Sequence, residues 1–267
     1  MLSEQTLPGP SLLLTKKMVS AVILAIVYLG TMLVLFLHAS DGVFEPTLLL
    51  PVMNTLFAGA IPIGVSIIAM RTYLRGGRNS ILFMSCGLMT FGLAAILAGW
   101  LVGGPQGPNV NVTVYNAGAL LGGIFHVLSV FFVLKNKAPA ASAVRKKANL
   151  ILVCSGVFTS LLCITLATMQ GITPIFFIQG TGPTFLRQLV CWSAAILYFL
   201  SALFLMKTFK QEQRPFYFWY GMALIMISLG LIAACIQPSV GSPMGWLNRA
   251  GHYIAGIYAM AAIWCRR

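Results

Sequence analysis

The sequence predicts an all-α polytopic membrane protein of eight transmembrane helices, arranged as two parallel four-helix repeats with both termini in the cytoplasm. Three observations carry this. The 267 residues are 59% hydrophobic and only 8% charged, with a mean hydropathy of +0.91, whereas a soluble domain carries about 25% charged residues. The positive charges fall almost entirely in alternate connections between apolar stretches. The second half of the chain also echoes the first. The same composition excludes a disordered chain and a disulfide-rich secreted module.

A helix needs about 20 apolar residues to cross a bilayer. Span one, 18–38, follows Lys16-Lys17 and has no small-residue cleavage site behind it, so it reads as a retained helix rather than a signal peptide. Span two, 48–70, contains Pro51 and Pro62, which should kink it and free carbonyls for a flexible element. Spans three and four, 80–102 and 114–134, turn through Gly103 to Pro108. Span five is 149–169 and span six is 186–206. Spans seven and eight, 216–236 and 247–265, turn through Gly241 to Gly245. Proline cannot continue a helix and glycine permits positive φ, so both turns should be tight. The connections are short, which makes residues 1–267 a single membrane domain with no soluble domain.

Fifteen of the seventeen Lys and Arg lie before span one, after span eight, and between spans two and three, four and five, and six and seven; only Arg187 and Arg249 lie on the other face. The positive-inside rule puts the fifteen in the cytoplasm, and with them both termini, in a cytoplasmic (inner) membrane. The net +13 is thus a topology signal, and no nucleic-acid partner is expected.

Residues 84–120 align without a gap on 222–258, with eleven identities that include Gly92/Gly230, Val102/Val240, Gly103/Gly241, Pro105/Pro243, Gly107/Gly245, Tyr115/Tyr253 and Gly118/Gly256. This implies pseudo-repeats of about 16–134 and 146–265, related by a pseudo-twofold along the membrane normal. Gly118, Gly122, Gly123, Gly251 and Gly256 would let spans four and eight pack closely at the centre.

Ionisable groups inside a membrane are costly and often functional. His126 lies near mid-depth of span four, and His252 near the outer start of span eight. The repeat places them about 18 Å apart in depth, too far to share a metal or haem at roughly 2 Å per ligand. Each histidine alone reads as a hydrogen-bonded packing residue, or, for His126, a polar anchor in a cavity. Arg187 and Arg249 open spans six and eight, near Asn111, Tyr115, Asn116, Gln188, His252 and Tyr253. They read either as interfacial side chains snorkelling to the headgroups or as a polar pocket between the halves, suited to a small polar or anionic ligand. Asp41 and Glu45 could neutralise the two arginines. The six cysteines have no C-x-x-C spacing and read as buried free thiols. No phosphate loop, zinc-protease motif or nucleophile elbow is present, and the four acidic residues lie outside the spans. No enzyme activity and no cofactor are therefore expected.

Leu49-Leu50-Pro51-Val52-Met53-Asn54-Thr55-Leu56, the run Gly107-Pro108-Asn109-Val110-Asn111-Val112-Thr113-Val114-Tyr115-Asn116 with His126 downstream, and Val240-Gly241-Ser242-Pro243-Met244-Gly245-Trp246-Leu247-Asn248-Arg249 with Tyr253 downstream together carry a resemblance. Over roughly 45–265 the chain resembles the multi-span N-terminal input domain of bacterial and archaeal PAS-containing sensor histidine kinases. The resemblance implies a membrane sensor whose last helix leads to a cytoplasmic PAS or kinase module or partner protein, with a receptor role for the segment Asn109 to Asn116, His126, Arg249 and Tyr253. It also makes a homodimer plausible. The sequence departs from that pattern by stopping at Arg267 without PAS, dimerisation or kinase sequence, which implies an excised input domain or a stand-alone relative signalling through another protein.

Two rival readings stand beside the sensor. The repeat would suit a small transporter moving a neutral or anionic molecule by alternating access, although the spans hold few charges. A membrane-embedded enzyme or cofactor carrier is the third.

Overall fold

The computed structural model describes residues 12–38, 42–44, 46, 48–104, 106–135, 142–178, 182–239 and 241–265, with side chains from Lys16 onward. The described chain is built from eight long helices: α1 (Leu12–Leu37), α2 (Leu49–Gly76), α3 (Asn79–Leu101), α4 (Gly107–Leu134), α5 (Ala143–Met169), α6 (Phe185–Glu212), α7 (Pro215–Ile236) and α8 (Pro243–Trp264). A two-residue hairpin, β1 (Phe177–Ile178) against β2 (Gly182–Pro183), joins α5 to α6. Seven helices are long and apolar enough to cross a membrane. The 22-residue α8 is long enough as well, but Asn248, Arg249 and His252 make its first half polar. The architecture is therefore that of an all-α, multi-pass membrane protein.

Several helices start or end beyond the hydropathy limits. α4 begins seven residues before position 114, because Pro108 sits in its first turn, where a missing N–H costs nothing. α8 likewise begins at Pro243, with Ser242 as N-cap accepting the Gly245 N–H at 3.2 Å. The two turns differ in their glycines. Gly241 adopts φ 82°, but Gly103 and Gly104 have negative φ, and Gly107 is needed for space, since a Cβ there would strike the Val102 carbonyl.

Pro51 and Pro62 bracket a π-helical segment, Asn54–Ala60, within α2. Pro62 has no N–H to close the turn onto the carbonyls of Phe57 or Ala58. The Phe57 carbonyl instead lies against Gly256 of α8, where a Cβ would approach it to 2.8 Å. Such widened turns are frequent at functional sites.

Lipid supplies no hydrophobic drive to join helices, so close packing and interhelical hydrogen bonds hold them. α3 packs between α2 and α4, and α7 between α6 and α8. α4 lies on α6, and α8 on α2; α5 leans on α3 and α4, and α1 on α7 and α8. Each of these pairings has a counterpart four helices along. The most enclosed helices are α3 and α7, which corrects the expectation that α4 and α8 form the centre. Their glycines face other neighbours: Gly118 meets Ala94 of α3, Gly122 meets Tyr198 of α6, and Gly251 meets Tyr28 of α1. α1 docks by Ala21, Ala25 and Tyr28, one face of a helix, and leaves Val19, Ile23 and Ile26 exposed, as lipid contact requires. Of the six free cysteines only Cys86, Cys191 and Cys235 are buried, and Cys163 faces outward.

Candidate functional site

At the end of the bundle where α3 turns into α4 and α7 into α8, two clamps cover the helix starts. The Asn109 side-chain oxygen of α4 accepts the Phe176 and Phe177 N–H groups at 2.9 and 3.1 Å, holding the β-hairpin. Across the bundle, Trp246 of α8 donates its indole N–H to the Phe44 carbonyl at 2.7 Å, and Phe44 N–H reaches the Gly241 carbonyl at 3.0 Å. Asn109 is thus a structural anchor as well as part of the segment singled out in the sequence.

Beneath these clamps lies a cavity of about 40 Å³. Asn111, Tyr115, Asn116, Arg187, Arg249, His252 and Tyr253 all line it, together with Asn54, Gln237 and Asn248. They come from α2, α4, α6 and α8 and the end of α7. Tyr253 donates its hydroxyl to Asn54 Oδ1 at 3.0 Å, and Asn111 Nδ2 donates to the Ala98 carbonyl at 2.7 Å. Asn111-Val112-Thr113 has the form of an N-glycosylation sequon, but Nδ2, the atom a glycan would need, is engaged in helix packing. The Tyr115 hydroxyl and His252 Nδ1 share a hydrogen bond of 2.7 Å between α4 and α8.

Arg187 does not snorkel. It is 2% exposed, and Nη2 donates to the Ala234 carbonyl at 2.9 Å. Its Nε and Nη1, and Asn116 Nδ2, have no hydrogen-bond partner among the described residues. The α6 start is placed by Thr184, whose hydroxyl caps the helix and binds the Ile175 carbonyl at 2.9 Å. The arginine is thereby set at the start of α6, where it reaches the end of α7. Arg249 is 8% exposed, with its guanidinium 4.5 Å from the Trp246 ring centre. Asp41 and Glu45, the acids that could neutralise the arginines, lie outside the described residues.

His126 is not part of this group. It sits at the inner limit of a second cavity, about 830 Å³, whose lining also includes Arg78, Ser129, Arg214 and Tyr220. This cavity lies towards the basic end of the bundle. The His126 ring occupies the space left by Gly87 of α3, and its Nδ1 pairs with the Tyr220 hydroxyl at 3.3 Å. Between the cavities runs a column of rings. From Tyr115 to His252 the centroids are 5.6 Å apart, to Phe91 5.2 Å, to Tyr198 6.4 Å, to His126 5.2 Å and to Tyr220 5.8 Å. Phe91 and Tyr198 therefore separate the two imidazoles.

Sequence reasoning missed Asn54, Asn248 and the rings of Phe91, Tyr198 and Tyr220 as site residues. Asn54 did carry a signal, being an amide inside an apolar span beside a proline. The rings carried none, because aromatic residues are common in any membrane helix.

Comparison with curated proteins and with solved structures finds no match. Comparison with family models matches MASE3, a membrane-associated sensor domain, over residues 43–264. That range agrees closely with the 45–265 over which the chain resembles a sensor input domain, and it contains both cavities and the ring column between them. The chain belongs to the MASE3 family of membrane-associated sensor domains.

Proposed function

We propose that this sensor domain perceives a small ligand in the smaller cavity and passes the change through α8 to a cytoplasmic signalling module of PAS or kinase type, in the same chain or a partner. One observation carries the reading. Seven polar residues that lie far apart in the sequence, from Asn111 to Tyr253, converge on the lining of one small cavity. The charge distribution supports a cytoplasmic basic end, with both termini inside an inner membrane. The paired helix contacts support two related four-helix units, about 16–134 and 146–265. A cavity between such units suits sensing, because a ligand shifts their arrangement by its differential affinity for the two states. The Tyr115–His252 bond and the Tyr253–Asn54 bond, one between α4 and α8 and one between α8 and α2, are the contacts such a shift would break or tighten. A homodimer is the expected working form if the downstream module is a paired kinase.

The test is a fusion of the full chain to a kinase module with a measured phosphorylation output. Tyr253→Phe and Arg249→Ala should each shift the stimulus response or lock the output. An unchanged response in both would sink the reading. A transporter is favoured by one feature, two cavities displaced toward opposite ends with an aromatic layer between them. Uptake into proteoliposomes carrying the protein would establish it in place of the sensor.

A further inference from the structure

The chemistry of the smaller cavity narrows its ligand, and this step rests on reading that cavity as the sensory site. We propose that it binds one small monovalent anion, of halide, nitrate or formate size, on the Arg187 guanidinium and the Asn116 amide. Arginine stays protonated in any protein setting. Arg187 and Asn116 are 2% and 3% exposed, so neither is served by bulk solvent. Among the described residues only Nη2 of Arg187 is engaged, by the Ala234 carbonyl, which leaves Nε, Nη1 and Asn116 Nδ2 as donors. A buried cation held by one neutral carbonyl is expensive, and charge-assisted hydrogen bonds to an anion would offset that cost.

Nothing in the described lining competes for the role. Among the described residues no carboxylate lines the cavity, and the one ion pair, Arg214 with Glu212, lies at the opposite end of α6. α4, α6 and α8 all begin at this end, so their positive dipole ends add to the field at the arginine. Asn248 Oδ1, also without a partner, disfavours an anion as drawn. Its amide can turn end for end and present Nδ2 instead.

Size completes the selection. About 40 Å³ exceeds the roughly 10–15 Å³ that one water needs, yet is far below the roughly 300 Å³ at which drug-sized ligand pockets begin. That volume matches one anion of a few heavy atoms beside Arg187.

The experiment uses the full chain in nanodiscs at constant ionic strength, with sodium gluconate as the large-anion background. Chloride, nitrate and formate are titrated separately against it, and thermal unfolding is followed. A ligand that binds only the folded state raises the unfolding temperature with saturation. At least one small anion should do so, and sulfate should not. Arg187→Met should abolish the effect. If that variant does not fold, Asn116→Leu should weaken apparent affinity by about tenfold. Equal responses to all salts, or saturation that survives both substitutions, would overturn the proposal in favour of a water-filled cavity. Failure of the sensory reading looks different: saturable anion binding would remain while the fusion's kinase output ignored the anion.

Discussion

Tyr115 joins α4 to α8 through one short bond to His252, while Tyr253 joins α8 to the π segment through Asn54. The two tyrosines are equivalent in the repeat alignment but hold different partners, so their substitutions should differ. Tyr115→Phe leaves His252 Nδ1 without its bond in a buried setting, a loss of about 1–3 kcal/mol. Tyr253→Phe strips the Asn54 amide of one donor, and because the lost bond is the longer of the two, 3.0 Å against 2.7 Å, it should cost less, about 1 kcal/mol. Unfolding of the two variants in the same detergent gives the ranking; equal losses would mean that the Tyr115–His252 bond is not made in the membrane. At this scale the sequence picked out seven polar side chains that share one cavity lining, and said less about how they are held. Asn111, Tyr115, Asn116, Arg187, Arg249, His252 and Tyr253 were legible because polar groups in apolar helices stand out. The burial of Arg187 was not, because an arginine at a helix start reads as interfacial until its contact with the end of α7 is seen.

Among the helices, the glycines divide by what a methyl group would meet. At Gly87 in α3 an added Cβ would lie 2.8 Å from His126 Nε2 and 3.1 Å from the Gly122 carbonyl, so the ring and α4 would have to move. At Gly156 in α5 nothing lies within 4 Å, and the site faces lipid. Gly87→Ala should destabilise by about 1–3 kcal/mol, the usual cost of overpacking, and should displace the His126 ring that borders the basic-end cavity. Gly156→Ala should be neutral or slightly stabilising through helix propensity. Thermal unfolding of both checks this, and a neutral Gly87→Ala would show that the His126 slot has slack. Helix number and order were legible from hydropathy alone, because about 20 apolar residues in lipid have few alternatives to a helix. The π segment was legible only as a kink between two prolines. The hairpin was not, since two-residue strands held by Asn109 and Thr184 leave no periodic pattern.

On the scale of the whole molecule the question is how an event in the small cavity reaches the basic end. α3 and α7 are the most enclosed helices, and the ring column lies between the halves they belong to. Phe91 is its central member, touching Tyr115, His252 and Tyr198 at centroid distances of 5.7, 5.2 and 6.4 Å. It is 2% exposed, makes no polar contact and binds no part of the cavity lining by hydrogen bond. Removing it should therefore leave the polar cavity able to take its ligand while uncoupling the rings on either side. Phe91→Ala is expected to keep ligand affinity within about threefold and to reduce the ligand-dependent kinase output of the fusion severely. Phe91→Leu, which conserves most of the volume, should restore part of the output. The pair of measurements separates binding from transmission, since a binding defect would move affinity first. Full output from Phe91→Ala would mean that α8 carries the change by itself as a rigid body, with the rings serving only to fill the space between the halves.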